Sequence, residues 1–127
     1  MEFTNEELME VVKSVVLVIE AKKEQAEKMC TSMIGKYCIV RGRCFGVFAG
    51  TVEAVEGNRC LLKNARRLWY WDGAASLSQL AMEGVKAPGN CKFTVPVESV
   101  LLLDVIEIIP ATEQARVVID GVKVWKR

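Results

Sequence analysis

The N-terminal quarter of the chain carries the pattern of one long helix, whose length constrains every fold open to the rest. Thr4 and Glu7 form a capping box, and Phe3 and Leu8 hold the two positions of a hydrophobic staple, so a helix is predicted to begin at about residue 5. Gly35 supplies the stop. An apolar seam runs between them in alternating steps of four and three: Leu8, Val12, Val15, Ile19, Lys22, Ala26, Met29 and Met33, with Lys22 as its charged member.

This helix is too long for the domain that it precedes. About 29 residues of helix span roughly 43 Å, whereas a globule of 127 residues has a diameter of about 36 Å. The surface from Val11 to Ile19 is apolar nearly all round, so a second subunit is predicted to cover it. Two alternatives stay open: the β-branched run 15–19 could form a strand, or the helix could bend around its own sheet. A membrane span is excluded, because charges flank a short apolar run.

Length and composition predict one domain over residues 1–127, with an oligomerising helix at 5–34 and a β-rich body at 35–127. The net charge of +1 provides no strong field for a long polyanion, so no polynucleotide partner is expected. Five cysteines without a C-x-x-C pair, and a start without a signal-peptide pattern, favour reduced thiols in the cytoplasm. Histidine is absent, which removes the commonest general base and metal ligand.

Short β-rich runs divided by glycine follow the helix. Residues 37–40 and 44–55 are predicted strands, and the turn at 56–58 returns the chain along a strand from Arg59 to Trp71. A second capping box, Ser76 with Gln79, opens a short helix from Leu77 to about Glu83.

The C-terminal part is also predicted to be β-rich. Strands are expected at 93–97 and 100–109, and residues 117–124 match a hairpin with a two-residue Asp-Gly turn. The predicted fold class is therefore α+β: a long N-terminal helix, then a curved, mostly antiparallel sheet or small open barrel with one short helix.

Residues 61–81 concentrate the groups that suit a nucleotide. Strand alternation puts Arg67, Trp69 and Trp71 on one face, where a base can stack on an indole and a guanidinium can hold phosphate. The small residues before the helix at 77 allow a ligand near its first N–H groups. The alternative is that the stretch fills a strand-to-helix corner of the core or a subunit contact, which residue types alone favour.

Arginines outside this stretch add a second possible phosphate contact. Arg41 and Arg43 share a strand face and could close on a pyrophosphate; an exposed, solubilising pair is the alternative. Phe45 and Phe48 cannot share a face in a regular strand, so at most one is expected to be a stacking platform.

The chain lacks the motifs of known nucleotide enzymes. It has no phosphate-binding loop of the G-x-x-x-x-G-K-[ST] or G-x-G-x-x-G type and no G-x-S-x-G elbow. Its carboxylates are scattered, and its cysteines sit in apolar runs where an inert thiol is expected. A binding protein without catalytic residues, cofactor or metal is therefore predicted. A small single-stranded nucleic-acid-binding module is the alternative, because curved sheets with arginine and aromatic residues also serve that purpose.

Three segments resemble the first-described family of phage Thoeris anti-defence proteins: Ile34-Gly35-Lys36-Tyr37, Gly46-Val47-Phe48-Ala49-Gly50, and the long run from Leu62 to Val85. The resemblance covers roughly residues 34–110. It implies a homo-oligomeric viral sponge in the host cytoplasm, which binds without cleavage the cyclic ADP-ribose isomer made by a TIR-domain protein. Some members also take cyclic oligonucleotides in a separate pocket, which stays open for this chain.

The resemblance also implies an assembly through the N-terminal helices, as a dimer or an assembly of dimers, with the nucleotide held between protomers. Membership of the matched segments, combined with strand parity, suggests stacking on Trp69 or Trp71 and phosphate contacts from Arg67 and Arg43. Asn64, Ser78 and Asn90 are the candidates for ribose or base edges.

Overall fold

The computed structural model describes residues 4–127, except for the side chains of residues 23–30. It divides the chain into two compact units, residues 1–32 and 33–127. The first unit contains helix α1, Asn5–Thr31. The predicted capping box is confirmed: the Thr4 backbone N–H donates to Glu7 Oε2 at 3.3 Å, and the Glu7 N–H donates to Thr4 Oγ1 at 3.2 Å. Phe3, the outer half of the predicted staple, lies outside the described residues.

Helix α1 presents an exposed apolar surface, and it ends earlier than the seam predicted. The large apolar side chains from Leu8 to Ile19 are each at least 45% exposed. The alternative strand at 15–19 is wrong, because these residues are helical. Met33 is not part of the helix: it packs in the core of the second unit, and Gly35 forms the turn there with φ +84°.

The second unit is a curved antiparallel sheet with two short helices. Its elements are β1 (Tyr37–Gly42), β2 (Val47–Glu56), β3 (Arg59–Tyr70), α2 (Leu77–Glu83), β4 (Lys92–Phe93), β5 (Val97–Leu102), β6 (Val105–Pro110) and α3 (Glu113–Gly121). The sheet order is β4-β3-β2-β1-β6, and β5 also pairs with β3. Consecutive strands β5 and β6 therefore lie at opposite edges of the sheet. Only Leu103 and Asp104 connect these two strands, so the sheet must be curved enough to bring its edges close together.

The predicted α+β class and the curved antiparallel sheet are confirmed. The C-terminal hairpin is wrong, and α3 takes its place as a second short helix. Thr112 caps this helix by accepting the Ala115 N–H at 3.1 Å. Ala115, Ile119 and Val122 are buried at helical spacing, so packing of one face overrides the strand preference of a valine- and isoleucine-rich run.

The sheet separates two hydrophobic cores because neighbouring strand residues point to opposite faces. Ile39 lies in the helix-side core, which α2 and α3 cover and which includes Leu68, Leu80, Phe93 and Ile119. Its neighbours Cys38 and Val40 lie in the strand-side core, which is enclosed by the curl of the sheet and includes Phe48, Val52, Cys60, Leu62 and Leu102. None of the described helices is long and apolar enough to cross a membrane.

Arg66, on β3, enters the helix-side core and ties three elements together. Its Nε donates to Thr94 O at 2.9 Å, and its Nη2 donates to Phe93 O at 3.4 Å, beside β4. Its Nη1 donates to Ile119 O at 2.9 Å, and Nη2 also donates to Val122 O at 2.6 Å, at the C-terminus of α3. Burial lowers the pKa of this guanidinium, and carbonyl oxygens at the negative end of a helix dipole stabilise its charge.

The Arg66→Ala substitution is expected to lower the free energy of unfolding by about 3 kcal/mol or more, because several buried carbonyls lose a charged donor together. Urea denaturation measures this loss. Arg59→Ala, at the exposed start of the same strand, is the matched control and should change stability by about 0.5 kcal/mol or less. Equal midpoints for the two variants would contradict the role given to Arg66.

Buried acids on β1 and β3 predict a loss of stability at alkaline pH. Burial, reinforced by Cys60, raises the pKa of Cys38 from 9.0 to about 11. Burial also raises the pKa of Cys60 and of Tyr37. The unfolded chain loses these protons at lower pH than the folded chain. The contribution of these groups to the free energy of unfolding is therefore fully present below about pH 9 and falls as the pH rises towards 11.

Urea denaturation at several pH values tests this dependence. Cys38→Ala should flatten the fall between pH 9 and 11 by about 1 kcal/mol per pH unit. Val52→Ala removes methyl groups from the same strand-side core but no titratable group, and it should leave the slope as it is. An unchanged slope in Cys38→Ala would show that the Cys38 thiol does not contribute.

Candidate functional site

Adjacent arginines on β3 have opposite surroundings because they lie on opposite faces of the sheet. Arg66 is enclosed on the helix side, whereas Arg67 lies on the strand side opposite Phe48 of β2. The guanidinium carbon of Arg67 lies 4.4 Å from the centre of the Phe48 ring. Its Nη1 donates to the backbone carbonyl of Phe45 at 2.8 Å. Arg67 is only half-buried, so a charged group is held in place next to solvent.

Phe45 and Phe48 contact each other, although a regular strand would separate them. Strand β2 begins only at Val47, so Phe45 lies in the preceding loop and is free to turn back. Gly46 has φ +81°, and the Gly42 N–H donates to Gly46 O at 3.0 Å, which closes this loop tightly. The two rings meet edge to face with centres 5.8 Å apart.

A pocket of about 280 Å³ lies beside these groups. Its lining comes from the connection between β1 and β2, which we call the 42–46 loop and which begins at the last residue of β1, from the start of β2 and from the end of β3. The lining residues are Cys44, Phe45, Gly46, Val47, Arg67, Leu68 and Trp69. Trp69 is 64% exposed, which is an unusually large fraction for a tryptophan side chain. Among the described residues, Arg67 is the one ionised side chain in this lining, so the pocket offers a cation, an indole and an exposed thiol. Such a pocket suits an anionic group attached to a flat ring.

The structure brings Arg67 and Trp69 together and places the other predicted site residues elsewhere. Trp71 follows the end of β3 and packs against the helix-side core. Arg43 is exposed in the loop before β2, and its backbone N–H donates to Asp104 O at 3.1 Å. Asn64 is exposed at a β-bulge, where its φ is +50°. None of these three lines the pocket.

Ser78 and Asn90 lie on α2 and on the 3₁₀ turn before β4, also outside the pocket lining. The Asn90 amide donates to Asp72 Oδ2 at 3.1 Å, which joins the two loops at this end of the sheet. Half of the predicted capping box at the start of α2 is confirmed: the Gln79 N–H donates to Ser76 Oγ at 3.1 Å, whereas Gln79 Oε1 accepts from the Ala75 N–H at 2.8 Å and not from that of Ser76. These two N–H groups of the helix start are thus engaged within the protein.

Sequence reasoning missed the contribution of the 42–46 loop. Cys44 and Gly46 line the pocket, and Phe45 supplies both a ring and a carbonyl to the surroundings of Arg67. The available signal was the pair of glycines at 42 and 46, which is typical of a tight loop rather than a continuous strand. Among the described residues, no group of three His, Cys, Asp or Glu side chains could hold a metal ion.

Comparison with known proteins identifies a family for the part of the chain that contains this pocket. No curated protein and no solved structure matches the chain. A family model does match, and it covers residues 35–119, from the turn before β1 into α3. That match includes more than half of the chain and all of the residues that line the pocket. The chain therefore belongs to the family described as Domain of unknown function (DUF6948).

Proposed function

We propose that this protein is a viral anti-defence sponge, which binds the cyclic ADP-ribose isomer of TIR-based Thoeris immunity in the host cytoplasm and does not cleave it. The observation that carries the proposal is the pocket in which Arg67 and Trp69 lie together. A cyclic ADP-ribose offers a pyrophosphate to the guanidinium and an adenine to the indole. The resemblance of residues 34–110 to the anti-defence family supplies the identity of the ligand.

Sequestration without chemistry agrees with the side chains available. The chain has no histidine, and Cys44 is the nucleophilic side chain in the pocket lining. Hydrolysis of a cyclic nucleotide needs a positioned base to activate water, and no carboxylate of the part of the chain that the structure describes lines the pocket. A tight, reversible complex is therefore the activity that we propose, with no cofactor and with a small ligand rather than a polynucleotide.

A sponge must bind with nanomolar affinity or better, which corresponds to about −12 kcal/mol. The pocket of about 280 Å³ is at the lower end of ligand-site volumes and can enclose only part of a dinucleotide-sized ligand. We therefore propose that a second protomer completes the site. The predicted contacts that lie outside the pocket lining would then come from either protomer of a homo-oligomer. These contacts are the ones from Arg43, Asn64, Trp71, Ser78 and Asn90.

Calorimetric titration with the TIR-generated cyclic ADP-ribose isomer tests the proposal. We expect nanomolar binding, and recovery of the unchanged nucleotide by chromatography after heat denaturation. Arg67→Ala and Trp69→Ala should each weaken binding by about 5- to 150-fold, because each removes a charged or stacking contact worth about 1–3 kcal/mol. Trp125→Ala, which removes another exposed indole outside the pocket, should bind like the parent.

Alkylation of Cys44 tests whether the ligand binds at the pocket that this residue lines. Cys44 is exposed in the pocket, whereas Cys38, Cys60 and Cys91 are buried. Bound nucleotide should slow the reaction of Cys44 with N-ethylmaleimide, measured by peptide mass spectrometry, and Arg67→Ala should need a correspondingly higher nucleotide concentration for the same protection. Absence of binding heat, or unchanged binding in both Arg67→Ala and Trp69→Ala, would contradict the proposal.

Two other outcomes would indicate a different function. A linear product after incubation would identify a hydrolase. Binding of single-stranded nucleic acid that weakens steeply with salt would identify the alternative module, since release of counterions makes polynucleotide binding strongly dependent on ionic strength.

The apolar surface of α1 supports the proposed oligomer, because an exposed run from Leu8 to Ile19 is otherwise unfavourable in water. We expect a dimer or an assembly of dimers in light scattering after size-exclusion chromatography. Val15→Asp places a charge on the predicted seam and should shift the protein towards monomer. Ser14→Asp adds the same charge at the neighbouring position beside the seam and should leave the mass unchanged. A monomeric parent protein would refute assembly through this helix.

A further inference from the structure

Phe48 is placed to control how Arg67 presents its charge. It is 4% exposed, and it lies on β2 directly opposite Arg67 in the β2–β3 register. Strand β2 pairs with β1 on one side and with β3 on the other, so Phe48 is held by a central strand. Its ring therefore forms a rigid support under the guanidinium, 4.4 Å from the guanidinium carbon.

A second contact restrains the guanidinium from the edge. The Phe45 carbonyl accepts a hydrogen bond from Nη1 at 2.8 Å, and the Phe45 ring packs edge to face on Phe48. One face and one N–H group are thus engaged by neighbouring residues. Arginine has five N–H donors, and Phe45 O is the hydrogen-bond acceptor seen for Arg67 among the described residues, so other donors are available to a ligand.

Gly42 allows this arrangement. A Cβ atom on Gly42 would overlap the Phe45 ring, so only glycine lets that ring lie against the backbone of β1. The loop from Gly42 to Gly46 therefore folds back on the sheet and brings the Phe45 carbonyl to Arg67.

We infer that Phe48, with the Phe45 carbonyl, positions Arg67 as a preformed receptor for the phosphate or pyrophosphate group of the ligand. This inference rests on the proposed function and assigns Phe48 a positioning role, since the buried ring acts through Arg67. A guanidinium already held in one orientation loses less freedom on binding than a flexible side chain. Lysine is not equivalent to arginine here, because its compact ammonium has no planar surface to stack on the Phe48 ring and no fork for a bidentate contact with phosphate.

A double-mutant cycle with the TIR-generated cyclic ADP-ribose isomer tests the inference. Phe48→Leu keeps an apolar side chain but removes the ring, and we expect it to weaken binding about tenfold in the parent protein. In the Arg67→Ala background the same change should weaken binding less than twofold. Arg67→Lys keeps the charge but not the planar fork, so it should still bind several-fold more weakly than the parent.

Val52→Ala is the control for lost core packing, because Val52 is buried in the same strand-side core and does not line the pocket. It should lower the melting temperature and leave affinity within twofold. If Phe48→Leu binds like the parent, or weakens binding equally with and without Arg67, the inference is overturned.

Inorganic pyrophosphate provides a readout that does not depend on the cyclic nucleotide. In ¹H–¹⁵N NMR spectra, we expect the Arg67 side-chain N–H signals to move on addition of pyrophosphate in the parent and not in Phe48→Leu. If the parent protein does not bind the cyclic nucleotide but its Arg67 signals move with pyrophosphate, the proposed function is refuted and the role of Arg67 as a phosphate receptor is supported. A parent whose Arg67 signals do not respond to pyrophosphate would refute the receptor itself.

Discussion

The buried guanidinium of Arg66 is the interaction on which the second unit depends. One side chain from β3 donates to carbonyls beside β4 and at the C-terminus of α3, segments that are distant in sequence. A buried cation is costly unless its donors are satisfied, so this arrangement is stable only when all of these elements are in place together. The backbone N–H of Trp125 donates to Phe93 O at 2.8 Å, and this carbonyl also accepts from Arg66, so the C-terminal segment joins the same network.

The neighbouring Arg67 shows how the same residue type acquires a different role one position along a strand. Side chains alternate between the two faces of a sheet, so Arg66 enters the core under the helices while Arg67 reaches the opposite side. There its guanidinium lies on the Phe48 ring and donates to the Phe45 carbonyl, and these two contacts leave it half-buried. A guanidinium that is oriented but still accessible is the physical basis for the ligand site that we propose.

The exposed surfaces of the two units have different physical character. Helix α1 carries a broad apolar surface that suits another protein surface, whereas the pocket beside β3 combines a cation with an indole and suits a small anionic ring. The assembly and the ligand binding that we propose would thus use separate parts of the chain. They would depend on each other if a second protomer completes the pocket, as the small volume of that pocket suggests.

The sequence by itself determined the elements whose signals are local. The capping boxes at Thr4 and Ser76 predicted where two helices begin, and the turn near Gly57 predicted the pairing of β2 with β3. Only the tertiary structure decided that residues 113–121 form a helix, because burial of Ala115 and Ile119 outweighs the strand preference of Val117 and Val118. Strand alternation already placed Arg67 and Trp69 on one face of β3, but only the tertiary structure decided that they line a pocket, because the 42–46 loop folds back on the sheet through contacts between distant segments.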